Sequence, residues 1–572
     1  MRRFWSLFLV LVLLATVFAG CAGDTTTSSA AEPSTAPSES GSEVASTEES
    51  ASTEEPVSSE AGATADGINL EGYPIAIEPM TFTMMGMKHP IHGDWENLAF
   101  FKEMEKLTNI SFTYDTPMAE VFTEKKNLAF NTGSYGEVLF GMQLTQAEQV
   151  KYGTQGILVP LEDYIEQYCP NLMEMLDTYP HVRASITAPD GHIYALPSYT
   201  TAPIAMVGSA WANAKFLEAL EMTEADLPNT TDGFAEYLTR VLTEDPNGNG
   251  QADEIPWTSG DDNAVEKGDN IYIRMMPAFG ILYRKEQVMI DGDTAIHPFA
   301  HENAKAFFTY ANKLWSENLL DHDAFIQGMA EIAAKGANNQ VGIAWHAIPS
   351  LIYGDMTNEE MVSYPLLPAL TSPENTSALV LQENSGIAHG TFALTDKCTN
   401  IPAMLRWVDY LYSEEGSLLI HYGPKGMFYE DAENGLWKHV ERPGDTRNNE
   451  EFRGGEVTPD CGLPLPKYVR PTTEGNWDDP FQQFRIKSVD EKLAPYMQMA
   501  FPDMYFTEEE QQVLDEVATD IQKYARENGA KLITGEMSID NYDQMMEGLN
   551  ALGLDRYLTA YQTAYDRWKT NQ

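Results

Sequence analysis

The pattern that most restricts this chain runs from Thr81 to Phe140. Thr81 to Met85 reads as a strand, and Leu98, Phe101, Met104 and Leu107 then recur at helical spacing. Ile110 to Tyr114 alternates as a second strand. Val121, Lys125, Leu128 and Ala129 mark a second helix that stops at Gly133. Val138-Leu139-Phe140 follows as a short strand and ends at Gly141. Strand, helix, strand, helix, strand at this spacing predicts an α/β lobe on a largely parallel sheet. At 572 residues the chain exceeds what one core serves, so two or more lobes are expected.

Composition narrows the function class. The chain is 43% hydrophobic and 11% aromatic, enough for a globular body, and carries a formal charge of −50. Such a balance excludes a broad nucleic-acid or anionic-membrane footprint, which would be basic. It fits a solvated protein outside the cytosol. The four cysteines are Cys21, Cys169, Cys398 and Cys461, with no CxxC spacing. The last three read most simply as buried thiols; a single disulfide among them has no assignable partners.

The N-terminus reads as an export signal. Arg2 and Arg3 precede an apolar run from Phe4 to Phe18, shorter than the roughly 20 residues of a membrane span. Phe18-Ala19-Gly20-Cys21 then resembles the bacterial lipobox, with Phe18 where Leu is usual. Residues 1–20 are thus expected to be removed and Cys21 lipidated. Residues 21–70 read as an acidic Ser/Thr/Glu-rich tether that cannot bury enough surface to fold. The folded body is expected from about residue 75.

Further along, Pro189-Asp190-Gly191-His192 forms a turn before an extended stretch, Ile193 to Pro197. Met206 to Ser209 reads as a strand and Val341 to Trp345 as a short buried one. Ala304, Phe307, Phe308, Ala311, Leu314 and Trp315 line a helix. Pro402 sits in the first turn of another, and Thr507 with Glu510 forms a capping box.

One loop carries metal-site chemistry. In Asp245-Pro-Asn-Gly-Asn-Gly-Gln-Ala-Asp-Glu254, the alternation of Asp245, Asn247 and Asn249 points oxygens into one curl, and Asp253 and Glu254 close it. Gly248 and Gly250 permit the backbone angles that the curl requires. A hard oxygen set of this kind suits Ca²⁺. The match to an EF-hand loop is partial, because its twelfth position is Pro256 and Glu254 must supply the bidentate contact. Such an ion would be structural.

Taken together, these pieces resemble the extracellular solute-binding lipoproteins of bacterial ABC importers, the carbohydrate-binding group called family 1. The carriers are the lipobox at Cys21, Asp190-Gly-His-Ile-Tyr-Ala-Leu-Pro197, the Asp245 loop, Ala393 to Cys398, Leu405 to Gly416, Gly-Leu-Asp-Arg-Tyr-Leu558 and Ala564-Tyr-Asp566. The resemblance implies a two-lobed periplasmic-binding-protein-like α/β fold with discontinuous lobes and a hinge. Residues 75–200 and 371–415 would form the first lobe, and 201–370 and 416–572 the second. The crossings would lie near Tyr199–Ala205 and Pro365–Thr371. The resemblance further implies Ca²⁺ ligation by Asp245, Asn247, Asn249, Asp253 and Glu254 with the Gln251 carbonyl. It implies a carbohydrate solute held between closing lobes and permease subunits as partners. A monomer held by lipid on the outer face of the membrane is expected.

Sugar sites combine stacking aromatics with a few polar groups in a cleft. Trp345 and His346 end a strand near the expected second crossing, Tyr199 lies by the first, and Gln143 follows a first-lobe strand. Trp211 and Tyr429 complete the ligand-binding candidates. No catalytic residue is assigned: the chain has no Gly-x-Ser-x-Gly, no His-Glu-x-x-His and no P-loop. His89, His92 and Asp94 read as a polar loop. Two other readings stay open on this scaffold: a sensory or adhesion lipoprotein, and a secreted polysaccharide-degrading enzyme.

Overall fold

Two sheets organise the chain. The larger has six strands in the order Lys467–Val469, Leu196–Thr200, Ile387–Leu394, Val138–Phe140, Met80–Met85 and Ile110–Asp115. The smaller has three, with Val341–Trp345 between Ala210–Ala212 and Ile255–Trp257. This computed structural model describes residues 64–260 and 270–572, so the export signal and Cys21 lie outside the described residues. The folded body starts earlier than residue 75. Thr64–Ala65 pairs with Ile68–Asn69, and the Ile68 side chain is buried in the first core. The expected tether is therefore too long at its C-terminal end.

The opening strand–helix pattern forms as its periodicity dictates. Strands Met80–Met85 and Ile110–Asp115 pair in parallel along their whole length, with helix Ala99–Thr108 between them. Helix Ala119–Thr132 ends at Gly133, whose φ of 68° is the left-handed conformation a glycine adopts without strain. Its buried face differs from the expected one. Phe122, Lys126, Ala129 and Phe130 point inward, while Val121 and Leu128 are 45% and 52% exposed. The two phenylalanines offer more apolar area than Val121 and Leu128 and set the rotation.

The large sheet is mixed. Three of its pairings are parallel, but Ile387–Leu394 runs antiparallel to both neighbours. That strand arrives from the second lobe and so enters the sheet from the opposite end. Trp407, Phe100, Phe140 and Met404 form the core on one face of the sheet, and Met85, Leu139 and Ala393 face a second cluster on the other. In the small sheet, Ala212, Ile343 and Trp345 face one core, and Trp211, Val341 and Ala344 the opposite one. Each fully buried large side chain contributes about 1.5–3 kcal/mol, so two separately packed cores sustain two lobes.

The lobe boundaries fall elsewhere than expected. Leu366, Leu367, Leu370 and Leu381 all pack with the small-sheet cores, so the return at residue 371 is too early. Ile420, Leu463 and Leu465 are buried in the large-sheet core, and Lys467–Val469 is a strand of that sheet. The assignment of all of 416–572 to the second lobe is thereby corrected. The crossing segments lie side by side: the Thr200 N–H donates to Gly386 O (2.9 Å), Glu383 N–H to Met206 O (2.8 Å) and Gln382 N–H to Gln498 O (2.9 Å).

Two strand readings shift for related reasons. Ile193–Pro197 becomes the strand Leu196–Thr200, and Met206–Ser209 is not a strand. Pairing with Val341–Trp345 begins only at Ala210, because Met206 is engaged in the crossing. Helix Glu508–Thr534 starts at the expected capping box, Thr507 with Glu510.

Candidate functional site

At the end of the small sheet, Trp345 closes its strand with 6% of its surface exposed. Its ring lies 5.4 Å from that of Trp257 and 5.9 Å from the Arg274 guanidinium carbon. Trp345 and Arg274, with Val207, Gly208, Leu370 and Leu381, line a cavity of about 60 Å³. Arg274 Nη1 is 2.5 Å from Glu383 Oε1 on the second crossing segment. His346 continues the strand, its N–H donating to Ser209 O (3.0 Å) and its carbonyl accepting the Trp211 indole N–H (2.9 Å).

Trp211 itself is a core residue with no exposed surface. Strand alternation turns it away from Ala210 and Ala212, and it packs against Phe481 with ring centres 5.7 Å apart. Its place among the ligand-binding candidates is corrected on that ground.

The remaining candidates lie on the other lobe. Tyr199 is buried at the end of its strand, stacked on Tyr468 with ring centres 6.0 Å apart, and its hydroxyl is 3.2 Å from His181 Nε2. Burial raises its hydroxyl well above the usual phenol range, so it stays protonated. Gln143 is exposed just past Val138–Phe140 with φ of 49°, an uncommon conformation for a non-glycine residue. Tyr429 belongs to a separate aromatic cluster with Phe428, Tyr422 and Trp437. The fold thus joins Trp345 and His346, puts Tyr199 on a strand of the large sheet and Gln143 in the loop after another, and sets Tyr429 apart.

Arg274, Glu383 and Gly208 escape sequence reading. Arg274 and Glu383 are 109 residues apart, and no local periodicity relates them. The run of Gly208 into Ser209 was the one available hint, since glycine in an extended stretch often marks a close approach.

The Asp245–Glu254 loop follows helix Thr231–Thr243 and leads into strand Ile255–Trp257. It is knitted by its own side chains. Asn247 and Asn249 donate to Asp253 Oδ1 at 3.0 and 2.9 Å, and Gly250 N–H donates to Asp245 Oδ2 at 3.0 Å. The bonds from Asn247 and Asn249 hold the Asp253 carboxyl below its usual range. Glu254, 8% exposed, has its carboxyl pushed up by burial and then by the charges of Asp245 and Asp253. Asp245 Oδ1 and Glu254 Oε1 are both buried without a hydrogen-bond donor. Among the described residues no three His, Cys, Asp or Glu side chains converge on one point. The amide and carbonyl oxygens would therefore have to complete any cation site. Two orphaned carboxylate oxygens beside them fit a hard divalent cation.

Other polar groups serve packing. Cys169, Cys398 and Cys461 are free thiols. His92 is buried, with Nε2 2.7 Å from Cys461 O and Nδ1 accepting the His89 N–H at 3.1 Å.

Two cores on two sheets, joined by adjacent crossing segments, define a two-lobed α/β solute-binding fold. Comparison with known proteins agrees. The fructooligosaccharide ABC transporter substrate-binding protein FusA of Streptococcus pneumoniae serotype 4 is 25% identical over 531 residues, covering 89% of this chain and 95% of that protein. FusA solved in complex with kestose superposes with a TM-score of 0.63 at 25% identity, over 86% of this chain and all of that one. A FusA EF-hand mutant with fructo-nystose gives the same TM-score at 24% identity. An HMO binding, ABC-transporter-associated solute-binding protein from Bifidobacterium longum infantis gives 0.69 at 18% identity, over 86% of this chain and 99% of that one. No protein-family model matches the chain. Over most of its length the chain is thus similar to substrate-binding proteins of carbohydrate ABC importers, which bind a solute for transport.

Proposed function

We propose that this protein captures a short oligosaccharide between its lobes and delivers it to the permease subunits of an ABC importer. The observation that carries the reading is the aromatic, arginine-lined cavity at the small-sheet end, bordered by the segments that cross between lobes. An indole face takes the C–H side of a sugar ring, and a few polar groups fix its hydroxyls. Ligand that touches both lobes only when they close stabilises the closed form. Trp345 and His346 would supply one wall, and Gln143 and Tyr199 the other. The hinge would run through residues 200–206 and 382–386 with 497–498 beside them.

The likeness to FusA makes fructooligosaccharides the first class to test. Calorimetric titration with kestose and nystose, against maltose- and cellobiose-series sugars, decides it. Heat only with the fructose series supports the reading, and no heat with any sugar overturns it.

Ca²⁺ in the Asp245 loop is part of the same proposal. Asp245, Asn247, Asn249, Asp253 and Glu254 with the Gln251 carbonyl would hold it, and the ion would brace the turn that feeds strand Ile255–Trp257. An EF-hand is named in the FusA mutant. Lipidation at Cys21 would tether a monomeric body on the outer face of the membrane. Among the described residues no helix is long and apolar enough to cross one.

A further inference from the structure

Three separate parts of the chain meet beside Trp345. Arg274, on helix Ile271–Met275, places its guanidinium carbon 5.9 Å from the Trp345 ring centre. Glu383 lies just past strand Val380–Leu381, inside the second crossing segment, and its backbone is hydrogen-bonded to Met206 of the first. The two side chains, only 8% and 17% exposed, meet at 2.5 Å. Gly208 makes the room. A Cβ at that position would come within 2.3 Å of both Arg274 Nη1 and Glu383 Oε1.

An ion pair this enclosed is a poor source of net stability, because desolvation offsets most of the attraction. Apolar side chains would fill the same space at no loss. A guanidinium over an indole has a different use: it fixes the ring and keeps donors aimed beside the stacking face. We infer that Arg274 is a positioning residue of the binding cleft. Glu383, carried on the crossing segment, holds the Arg274 guanidinium against Trp345 and so couples the hinge to the stacking surface. Movement of the crossing segments displaces Glu383, then Arg274, then the indole. The inference rests on the oligosaccharide reading and adds to it a link between closure and affinity.

Tryptophan emission and kestose titration of R274Q, E383Q and the double variant test it, with W345F identifying the Trp345 component of the emission. In the sugar-free protein each single variant shifts that component. Each weakens kestose binding at least about tenfold, and the double variant loses no more than the worse single, as a coupled pair requires. Wild-type affinity in both singles, or losses that multiply in the double, overturns the coupling. Where the wild-type protein takes no kestose, it is the sugar reading that fails. The emission then decides the latch alone, and an unchanged Trp345 component in E383Q overturns it. Should a single variant unfold, E383D replaces it. That change keeps the charge but withdraws it by one methylene, and wild-type emission in E383D overturns the proposal.

Discussion

The Asp245–Glu254 loop and the Trp345 cavity solve similar problems in opposite ways. Both gather polar atoms around a small space. The loop does so with neighbours: its Asn247–Asp253, Asn249–Asp253 and Asp245–Gly250 bonds span six residues or fewer. The cavity draws on Gly208, Arg274 and Trp345, and the ion pair that ties Arg274 to Glu383 beside it spans 109 residues. A loop of that kind closes at little entropic cost and can be read from spacing. A cavity of the second kind exists only once both cores have packed, since each partner is placed by a different element.

The sharpest way to break the comparison is to remove the cavity's indole. Trp345→Ala is expected to lower unfolding stability by about 3–5 kcal/mol through lost burial and the void left behind. It should also abolish the heat of kestose binding. Urea melts and calorimetry read both. A milder pair sharpens the point. W345F should weaken binding, whereas W211F, altering a residue with no exposed surface, should cost stability and leave affinity within about twofold. A tenfold affinity loss in W211F would put that residue back in the site.

Calcium is the matching perturbation of the loop. EDTA should lower the Tm and added Ca²⁺ restore it, with about 2.7 kcal/mol gained when the free ion is 100-fold above its Kd. D245N should abolish the response. A melt indifferent to both reagents removes the ion from the account.

His92 extends the contrast to pH, because its Nε2 contact reaches Cys461, 369 residues away. Burial pushes its imidazole down to about 4 from the usual 6.5. The folded state therefore binds fewer protons than the unfolded chain below pH 6.5, and stability is lost as pH falls from there towards 4. At pH 5 the loss from this one group is about 2 kcal/mol. H92Q should flatten the fall, and a slope identical to wild type would remove His92 as its source. The smallest effect belongs to the loop: in EDTA, E254Q should raise the Tm slightly, since it relieves a buried carboxylate facing Asp245. A drop would contradict the crowding of those two groups.

Much of the local structure was legible in the chain. Val138–Phe140 and Val341–Trp345 form as strands with the expected ends, and the Thr507–Glu510 box opens its helix. Short signals of this sort depend on residues within one turn of each other. Helix Ala119–Thr132 shows the limit: its periodicity located the helix but not the face, which Phe122 and Phe130 settled by contact with the core. Tyr199 lies near a strand end and Gln143 in the loop past one, while Trp211 was misjudged because aromatic character alone does not distinguish the two sides of a strand.

By itself the sequence determined most element types, an acidic Asn/Asp/Gly curl at Asp245–Glu254 and the division into more than one core, since each follows from spacing, backbone freedom or chain length. Only the tertiary structure decided that Lys467–Val469 returns to the first sheet, that the second crossing lies at 382–386, and that Glu383 meets Arg274 over Trp345. Those outcomes depend on contacts between segments far apart in the chain, 71 residues or more. Their pairing is chosen by which apolar faces can be buried together, a competition that no stretch of neighbouring residues records.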